Sequence, residues 1–308
     1  MVHAMYDLII IGAGPAGLAA ALDADYLRLR TLVLEARKAG GALSQMYPWK
    51  KVDSFLGLPG MKGQQVSDRI VEHVRSAGIE IKEGEEVREI HAGNPFRVVT
   101  KDATYESAAV ILATGVRGVP RKLGVPGEDL PGVIHFLPDP GKFKGRKVLV
   151  VGGGDSAADS ALGLDAAGAN VWLAHRRDDM RAQDESKEEL RKSKVKILWN
   201  TEVESVFGHG KAEGARVFSN KTGEKTELRC DTVLICIGSE STKDHLERLG
   251  IRMERALVKV DEDGMTSVPG IFAAGDIVSR IKRIPQALAT GERAAYSAYK
   301  YIKKPYWK

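Results

Sequence analysis

The sequence predicts an α/β protein made of two Rossmann-like, three-layer ββα dinucleotide-binding domains, the second inserted into the first. Three observations predict it. A glycine-rich turn directly after an apolar run occurs twice, at Gly12–Gly17 and at Gly152–Ala157. Each turn is followed, further on, by three short alternating segments and a second apolar run that ends in glycine. A last apolar run, Gly270 to Asp276, follows the second unit and fits back into the first.

The elements follow in order. Leu8-Ile9-Ile10-Ile11 reads as a buried parallel strand and Gly12-Ala13-Gly14-Pro15-Ala16-Gly17 as the turn into a helix. In such a turn glycines let the backbone approach a pyrophosphate, and the helix N-terminus favours its negative charge. The next strand, Leu32-Val33-Leu34-Glu35, ends in a carboxylate placed to accept hydrogen bonds from ribose hydroxyls. Glu86–His91, Phe96–Thr100 and Ala103–Glu106 alternate like a meander, and Ala109–Gly115 reads as a separate buried strand closing in Ala113-Thr114-Gly115. Glycines, prolines and acids from Gly115 to Pro131 form a connector.

The pattern then repeats. Val148-Leu149-Val150-Val151 leads into Gly152-Gly153-Gly154-Asp155-Ser156-Ala157. Where the first unit has Glu35, the second has His175-Arg176-Arg177, with Arg181 following. A carboxylate there repels a 2′-phosphate and guanidinium groups attract it. Glu202–Phe207, Ala215–Ser219 and Thr226–Arg229 form a second meander, and Thr232–Gly238 a second buried strand. A helix over Gln286–Lys303 ends the chain's first domain. The expected boundaries are 1–116 and 240–308 for the FAD domain and 117–239 for the NADPH domain, with crossings near 116 and 240. One dinucleotide without a 2′-phosphate and one with it make FAD plus NADPH the economical pair, and a flavin-dependent oxidoreductase the expected class.

Composition narrows the rest. The 308 residues, 43% of them hydrophobic, suffice for two domains with real cores. No apolar run approaches the ~20 residues of a membrane helix. The first strand begins within a few residues of the N-terminus, so no signal peptide and a cytoplasmic location are expected. The net charge of +5 suits anionic cofactors without requiring nucleic acid. The two cysteines, Cys230 and Cys236, are five residues apart, which is neither a metal-ligand spacing nor a redox CxxC. No metal is expected.

The motifs together resemble the low-molecular-weight thioredoxin reductase family along essentially the whole chain. They are Gly12–Gly17, Gly40-Gly41-Ala42-Leu43, Ala113-Thr114-Gly115, Gly152–Ala157, His175 to Arg181, and Gly275-Asp276. One departure bears on function. Thioredoxin reductases carry a CxxC at the head of the NADPH domain, and here Phe136, Leu137, Pro138 and Asp139 stand in that place. Without paired thiols no dithiol relays electrons to thioredoxin. The chain is more similar to the sister branch of thioredoxin-reductase-like ferredoxin–NADP⁺ reductases. Met46-Tyr47-Pro48-Trp49-Lys50, Phe55-Leu56-Gly57-Leu58-Pro59, His135-Phe136 with Phe143-Lys144-Gly145-Arg146, and Asp155-Ser156 carry that likeness. Ala42 replaces the branch's glutamine, and the chain stops near Trp307 without the long C-terminal extension of bacterial members.

The resemblance implies roles. Gly12, Gly14, Pro15, Ala16 and Gly17 meet the FAD pyrophosphate, and Glu35 and Ala36 its adenosine ribose. Gly41, Leu43, Val87, Ala113, Thr114 and Gly115 line the FAD site. Gly275 and Asp276 reach the ribityl or pyrophosphate region, with Gln286 and Ala287 near the flavin and Tyr47 stacked on it. Gly152, Gly153, Gly154, Asp155, Ser156, Ala157, Ile237 and Gly238 hold NADPH, and His175, Arg176, Arg177 and Arg181 surround its 2′-phosphate. No side-chain nucleophile or base is required, because hydride acceptance at N5 and one-electron release belong to the flavin. A homodimer is implied, with a small acidic carrier such as ferredoxin or flavodoxin docking on Arg280, Lys282, Arg283, Lys300, Lys303 and Lys304. A disulfide reductase, an NADPH oxidase and a nicotinamide-binding redox sensor stay open as alternatives.

Overall fold

Strand β1 (Tyr6–Ile11) is buried on both faces, which is why it reads as an unbroken apolar run. Its side chains alternate between two cores: Leu8 and Ile10 belong to one cluster, Ile9 and Ile11 to the other. The computed structural model describes residues 5–115, 120–238, 246 and 249–305. These fall into two units, one formed by the chain up to 118 and from 241 onward, the other by 119–240. The crossings expected near 116 and 240 fall outside the described residues.

In the first unit β1 lies parallel to β2 (Thr31–Glu35) on one side and to β8 (Thr104–Leu112) on the other. Strand β5 (Glu80–Glu83) extends the sheet beyond β2, and β7 (Phe96–Thr100) and β6 (Val87–His91) continue it antiparallel beyond β8. Strand β19 (Ile271–Ala273) pairs parallel with the end of β8, so the late apolar run completes the first sheet. Helices α1 (Pro15–Tyr26) and α6 (Ile284–Lys303) cover one face. Their contact is made of alanines, among them Ala16, Ala20 and Ala24 with Ala294 and Ala298, all buried. The approach is close because Gly291 has no Cβ to strike the carbonyl of Ala16. Helices α2 (Ala42–Gln45) and α3 (Gly63–Ser76) flank a two-stranded hairpin, β3 (Lys51–Val52) with β4 (Met61–Lys62). A second small hairpin, β17 (Met253–Glu254) with β18 (Leu257–Val258), precedes β19.

The second unit has a five-stranded parallel sheet. Its order is β12 (Lys196–Trp199), β11 (Asn170–His175), β10 (Lys147–Gly152), β16 (Thr232–Cys236), β9 (Val133–Ile134). Helix α4 (Asp155–Ala166) follows β10, and α5 (Asp184–Lys192) joins β11 to β12. A separate antiparallel sheet holds β13 (Thr201–Phe207), β14 (Gly214–Ser219) and β15 (Lys225–Arg229).

One sequence expectation needs correcting. Ala103–Glu106 and Ala109–Leu112 are not two segments but one strand, β8. Residues 104–107 pair antiparallel with β7, and 110–112 pair parallel with β19. Nothing between them breaks a strand, and the Ser107 hydroxyl donates to the Ala109 carbonyl at 2.9 Å. In the second unit the corresponding strands are separate. There Asp231 stands between them and is engaged by Lys147, whose N–H donates to its carboxylate at 2.8 Å while its own N–H donates to the Lys147 carbonyl at 2.8 Å.

Candidate dinucleotide sites

Each sheet places its glycine turn at the carboxyl end of a central strand, between neighbours reached by opposite crossovers: β2 and β8 around β1, β11 and β16 around β10. That topological switch point is where open α/β sheets leave a crevice for a ligand.

The first turn is tightly built. Gly12 adopts φ +106°, and a Cβ there would run into the carbonyl of Ala113. The Ala113-Thr114-Gly115 segment therefore lies directly against the glycine loop, tied by the Ala113 N–H to the Ile11 carbonyl at 2.8 Å. Gly17 likewise has no room for a side chain, because the Gly12 carbonyl occupies that space. From the other side the Gly40 N–H donates to the Ala13 carbonyl at 2.8 Å, and Gly41 packs on Gly14. Gly14 is the N-cap of α1 and supplies no side-chain acceptor for the first-turn N–H groups. Those donors face the loop with the positive end of the helix dipole behind them.

Glu35 ends β2 half-buried. Its Oε2 accepts from the Ala13 N–H and its Oε1 from the Arg37 N–H, both at 2.9 Å. Each oxygen keeps a further lone pair for a hydroxyl donor. Ala36 beside it is exposed. Val87 is partly buried on the second core cluster and joins this region through Glu85, whose N–H donates to the Glu35 carbonyl at 3.0 Å. Leu43 is buried in α2, and Tyr47 follows it half-buried at the start of the 48–62 segment.

Gly275 and Asp276 sit in a short 3₁₀ turn after β19. A Cβ on Gly275 would come within 2.9 Å of the Ala16 Cβ, so this turn abuts the first turn of α1. The Gly275 N–H donates to the Thr290 hydroxyl at 2.9 Å, and that hydroxyl reaches the carbonyls of Gln286 and Ala287 at 2.9 and 3.0 Å. Asp276, Gln286 and Ala287 are thus gathered at the N-terminal end of α6. Burial raises the Asp276 carboxyl above the usual carboxylate range, and the charge of Lys282 partly offsets this.

The second turn repeats the plan with different chemistry. A Cβ on Gly152 would meet the carbonyl of Cys236, so Cys236-Ile237-Gly238 takes the place that Ala113-Thr114-Gly115 holds in the first unit. A Cβ on Gly153 would enter the ring of His175, whereas Gly154, the N-cap of α4, has open space above it. The basic loop is stapled to this turn. The Arg181 N–H donates to the Gly153 carbonyl at 2.8 Å, and the Gln183 N–H donates to Asp155 Oδ1 at 2.9 Å. The Asn220 side chain donates to the Arg176 carbonyl at 2.9 Å. Asp155 therefore holds the loop in place at a position the sequence reading gave to cofactor contact. His175 is a spacer of the same kind: Nε2 bonds the Asp179 carbonyl at 3.0 Å, and the ring meets Trp199 edge-on at 6.1 Å. Burial, with the charges of Arg177, Arg176 and Arg181, lowers its pKa and favours the neutral ring, while the Asp179 hydrogen bond acts the other way. Those three arginines are exposed around one imidazole and form no ion pair with a described residue. Ser156 and Ala157 lie in the first turn of α4, Ala157 fully buried. Sequence reasoning did not find Gln183, Asn220 or Trp199: Gln183 acts through its backbone N–H, and Asn220 and Trp199 come from strands and turns distant in sequence from the glycine turn.

Both cradles fit dinucleotides on these observations: glycine N-caps that bring no side-chain acceptor, and a carboxylate in one unit where the other has three guanidiniums in no ion pair with a described residue. The fold and the two cradles define an oxidoreductase that joins a flavin nucleotide to a nicotinamide nucleotide. Residues 6–291 match the pyridine nucleotide-disulphide oxidoreductase family, and the chain belongs to it. It is 36% identical to a ferredoxin–NADP reductase of Ignicoccus hospitalis, over 98% of this chain and all of that one. It is 38% identical to a 34.2 kDa protein in the rubredoxin operon of Clostridium pasteurianum, over 96% and 97% of the two chains. Its fold superposes on the thioredoxin reductase of Lactococcus lactis with a TM-score of 0.89, at 31% identity, covering 97% of this chain and 100% of that one. The chain is an FAD-dependent NADPH oxidoreductase.

Neither cysteine offers a thiolate near neutral pH. Cys230 is buried, and burial pushes its thiol up to about 11. The thiol of Cys236, at the end of β16, is pushed up to about 12, again by burial, with a Ser160 hydrogen bond acting the other way. Both are free. Among the described residues no helix is long and apolar enough to cross a membrane, and no group of three or more His, Cys, Asp or Glu could hold a metal ion.

Proposed function

We propose that this protein passes electrons between NADPH and a small one-electron carrier of the ferredoxin or flavodoxin kind, without a redox-active disulfide. The observation that carries the reading is the pairing of two oppositely charged cradles with Phe136, Leu137, Pro138 and Asp139 where a dithiol would be needed. FAD belongs to the first cradle. Gly12, Gly14 and Gly17 let the backbone reach its pyrophosphate, Glu35 accepts from its ribose, and Asp276, Gln286, Ala287 and Tyr47 border its ring end. NADPH belongs to the second, with its pyrophosphate on α4 and its 2′-phosphate among Arg176, Arg177 and Arg181.

When bound, FAD supplies the exchange between two-electron and one-electron chemistry. The chain's own residues bind, orient and select. One NADPH gives up a hydride, two carrier molecules each gain one electron, and one proton is released, so the reaction balances without a protein acid or base. The relative named a ferredoxin–NADP reductase supports this choice of acceptor. The raised thiols of Cys230 and Cys236 speak against disulfide exchange, which needs a thiolate. A homodimer working in the cytoplasm completes the reading.

An anaerobic survey of acceptors with the FAD-loaded protein tests it. NADPH-dependent reduction of ferredoxin or flavodoxin, well above that of thioredoxin, is the expected result. Fast reduction of oxygen alone supports an oxidase. Tight NADPH binding with slow turnover of every acceptor supports a sensor.

A further inference from the structure

Two surface segments of the first unit, far apart in sequence, meet and carry six bases and two exposed apolar side chains. The 48–62 segment carries Lys50, Lys51 and Lys62, and the 279–283 segment carries Arg280, Lys282 and Arg283. The Arg283 guanidinium donates to the Ser54 hydroxyl at 3.0 Å, which joins the two segments across 229 residues of chain. Lys51 and Lys62 stand opposite each other in the hairpin of β3 and β4. All six bases are exposed, and Lys51, Lys62, Arg280 and Lys282 form no ion pair with a described residue. With Asp53 as the single acid, the two segments hold a net charge of +5, equal to that of the whole chain. The charges of the rest of the chain sum to zero. Within the patch Leu56 is 97% exposed and Ile281 63% exposed.

The place of the patch gives it a direction. The 48–62 segment starts directly after Tyr47, to whose carbonyl the Lys50 N–H donates at 3.2 Å. The 279–283 segment runs from the Asp276 turn into α6, and Asp276 feels the charge of Lys282. Both therefore border the ring end of the first cradle.

We infer that these two joined segments, with their bases and the exposed Leu56 and Ile281, are the docking surface for the acidic one-electron carrier, an inference that rests on the function proposed above. Bases of one sign steer an acidic partner and set its on-rate, and exposed apolar side chains supply contact once it has arrived. A second copy of this chain does not suit the patch, because a two-fold contact sets it against itself. Lys300 and Lys303, expected to share in docking, are instead paired with Asp263 and Asp7.

The test uses FAD-loaded protein, NADPH, an acidic [4Fe–4S] ferredoxin, and a small neutral quinone as the acceptor that no charge steers. Lys51→Glu/Arg280→Glu should raise the KM for ferredoxin at least tenfold at low salt and remove its salt dependence. Leu56→Ser should raise KM severalfold and keep the salt dependence. Quinone turnover should stay within twofold in every variant, which also reports that each is folded and loaded. Unchanged ferredoxin KM and salt dependence in the charge-reversed protein, with normal quinone turnover, overturns the docking surface alone. So does a charge reversal that changes only oligomeric state, or only binding to a duplex DNA probe. A wild type that reduces the quinone but no ferredoxin at any salt concentration overturns the carrier reading, and the docking surface with it.

Discussion

At the scale of single residues, the second cradle contains the sharpest discrimination. Arg176 and Arg181 are exposed and without ion pairs among the described residues, at the position where the first unit places Glu35. A charge-assisted bond to a phosphate contributes ~1.5–3 kcal/mol. Replacing both arginines with alanine should lower kcat/KM for NADPH at least tenfold, at about 1.4 kcal/mol per decade, and change NADH much less. Equal losses for the two nucleotides would assign the arginines to folding instead. His175 reports on the same cluster. Its folded pKa lies below the ordinary value of about 6.5. Its contribution to stability is therefore present above that pH and is lost as pH falls through the folded value. A phosphate held among the three arginines offsets their charge, so 2′,5′-ADP should move the His175 titration upward in an NMR experiment. A titration that stays in place on saturation would mean the phosphate binds elsewhere.

At the scale of elements, the glycine turns and the strands beside them were legible in the sequence, and the tethers were not. Apolar runs buried on both faces and glycines about 20 residues before a charged strand end follow from local pattern. The staple between the basic loop and α4 depends on backbone donors of Arg181 and Gln183, which every residue but proline possesses. The continuity of β8 goes with its partners, β7 on its first half and β1 and β19 on its second, two of them far away in sequence. Neither leaves a local mark. The duplicated turns give a prediction that separates the two cradles. Gly12→Val drives a side chain into the Ala113 carbonyl at a positive φ, and Gly152→Val does the same to the Cys236 carbonyl. Each overpacking costs about 1–3 kcal/mol or more. Gly12→Val should lose bound FAD, read from its visible absorbance. Gly152→Val should keep FAD and raise the KM for NADPH at least tenfold. Loss of FAD from both would show that the two turns do not serve separate nucleotides.

At the scale of the whole molecule, one architecture is used twice, and the differences between the copies carry the function. The first ends β2 in a carboxylate and completes its sheet with the chain's last strand. The second ends β11 in a basic loop and keeps its meander as a separate sheet. The contact between the 48–62 and 279–283 segments, to which the Arg283–Ser54 bond belongs, joins positions 229 residues apart and leaves no local mark in the sequence. The central claim is electron transfer from NADPH without a protein dithiol, and it is tested most directly in the Cys230→Ser/Cys236→Ser protein. Loaded with FAD and supplied anaerobically with NADPH, that variant should reduce ferredoxin at the wild-type rate and leave thioredoxin oxidised. Wild-type reduction of thioredoxin that disappears in the variant would contradict the account.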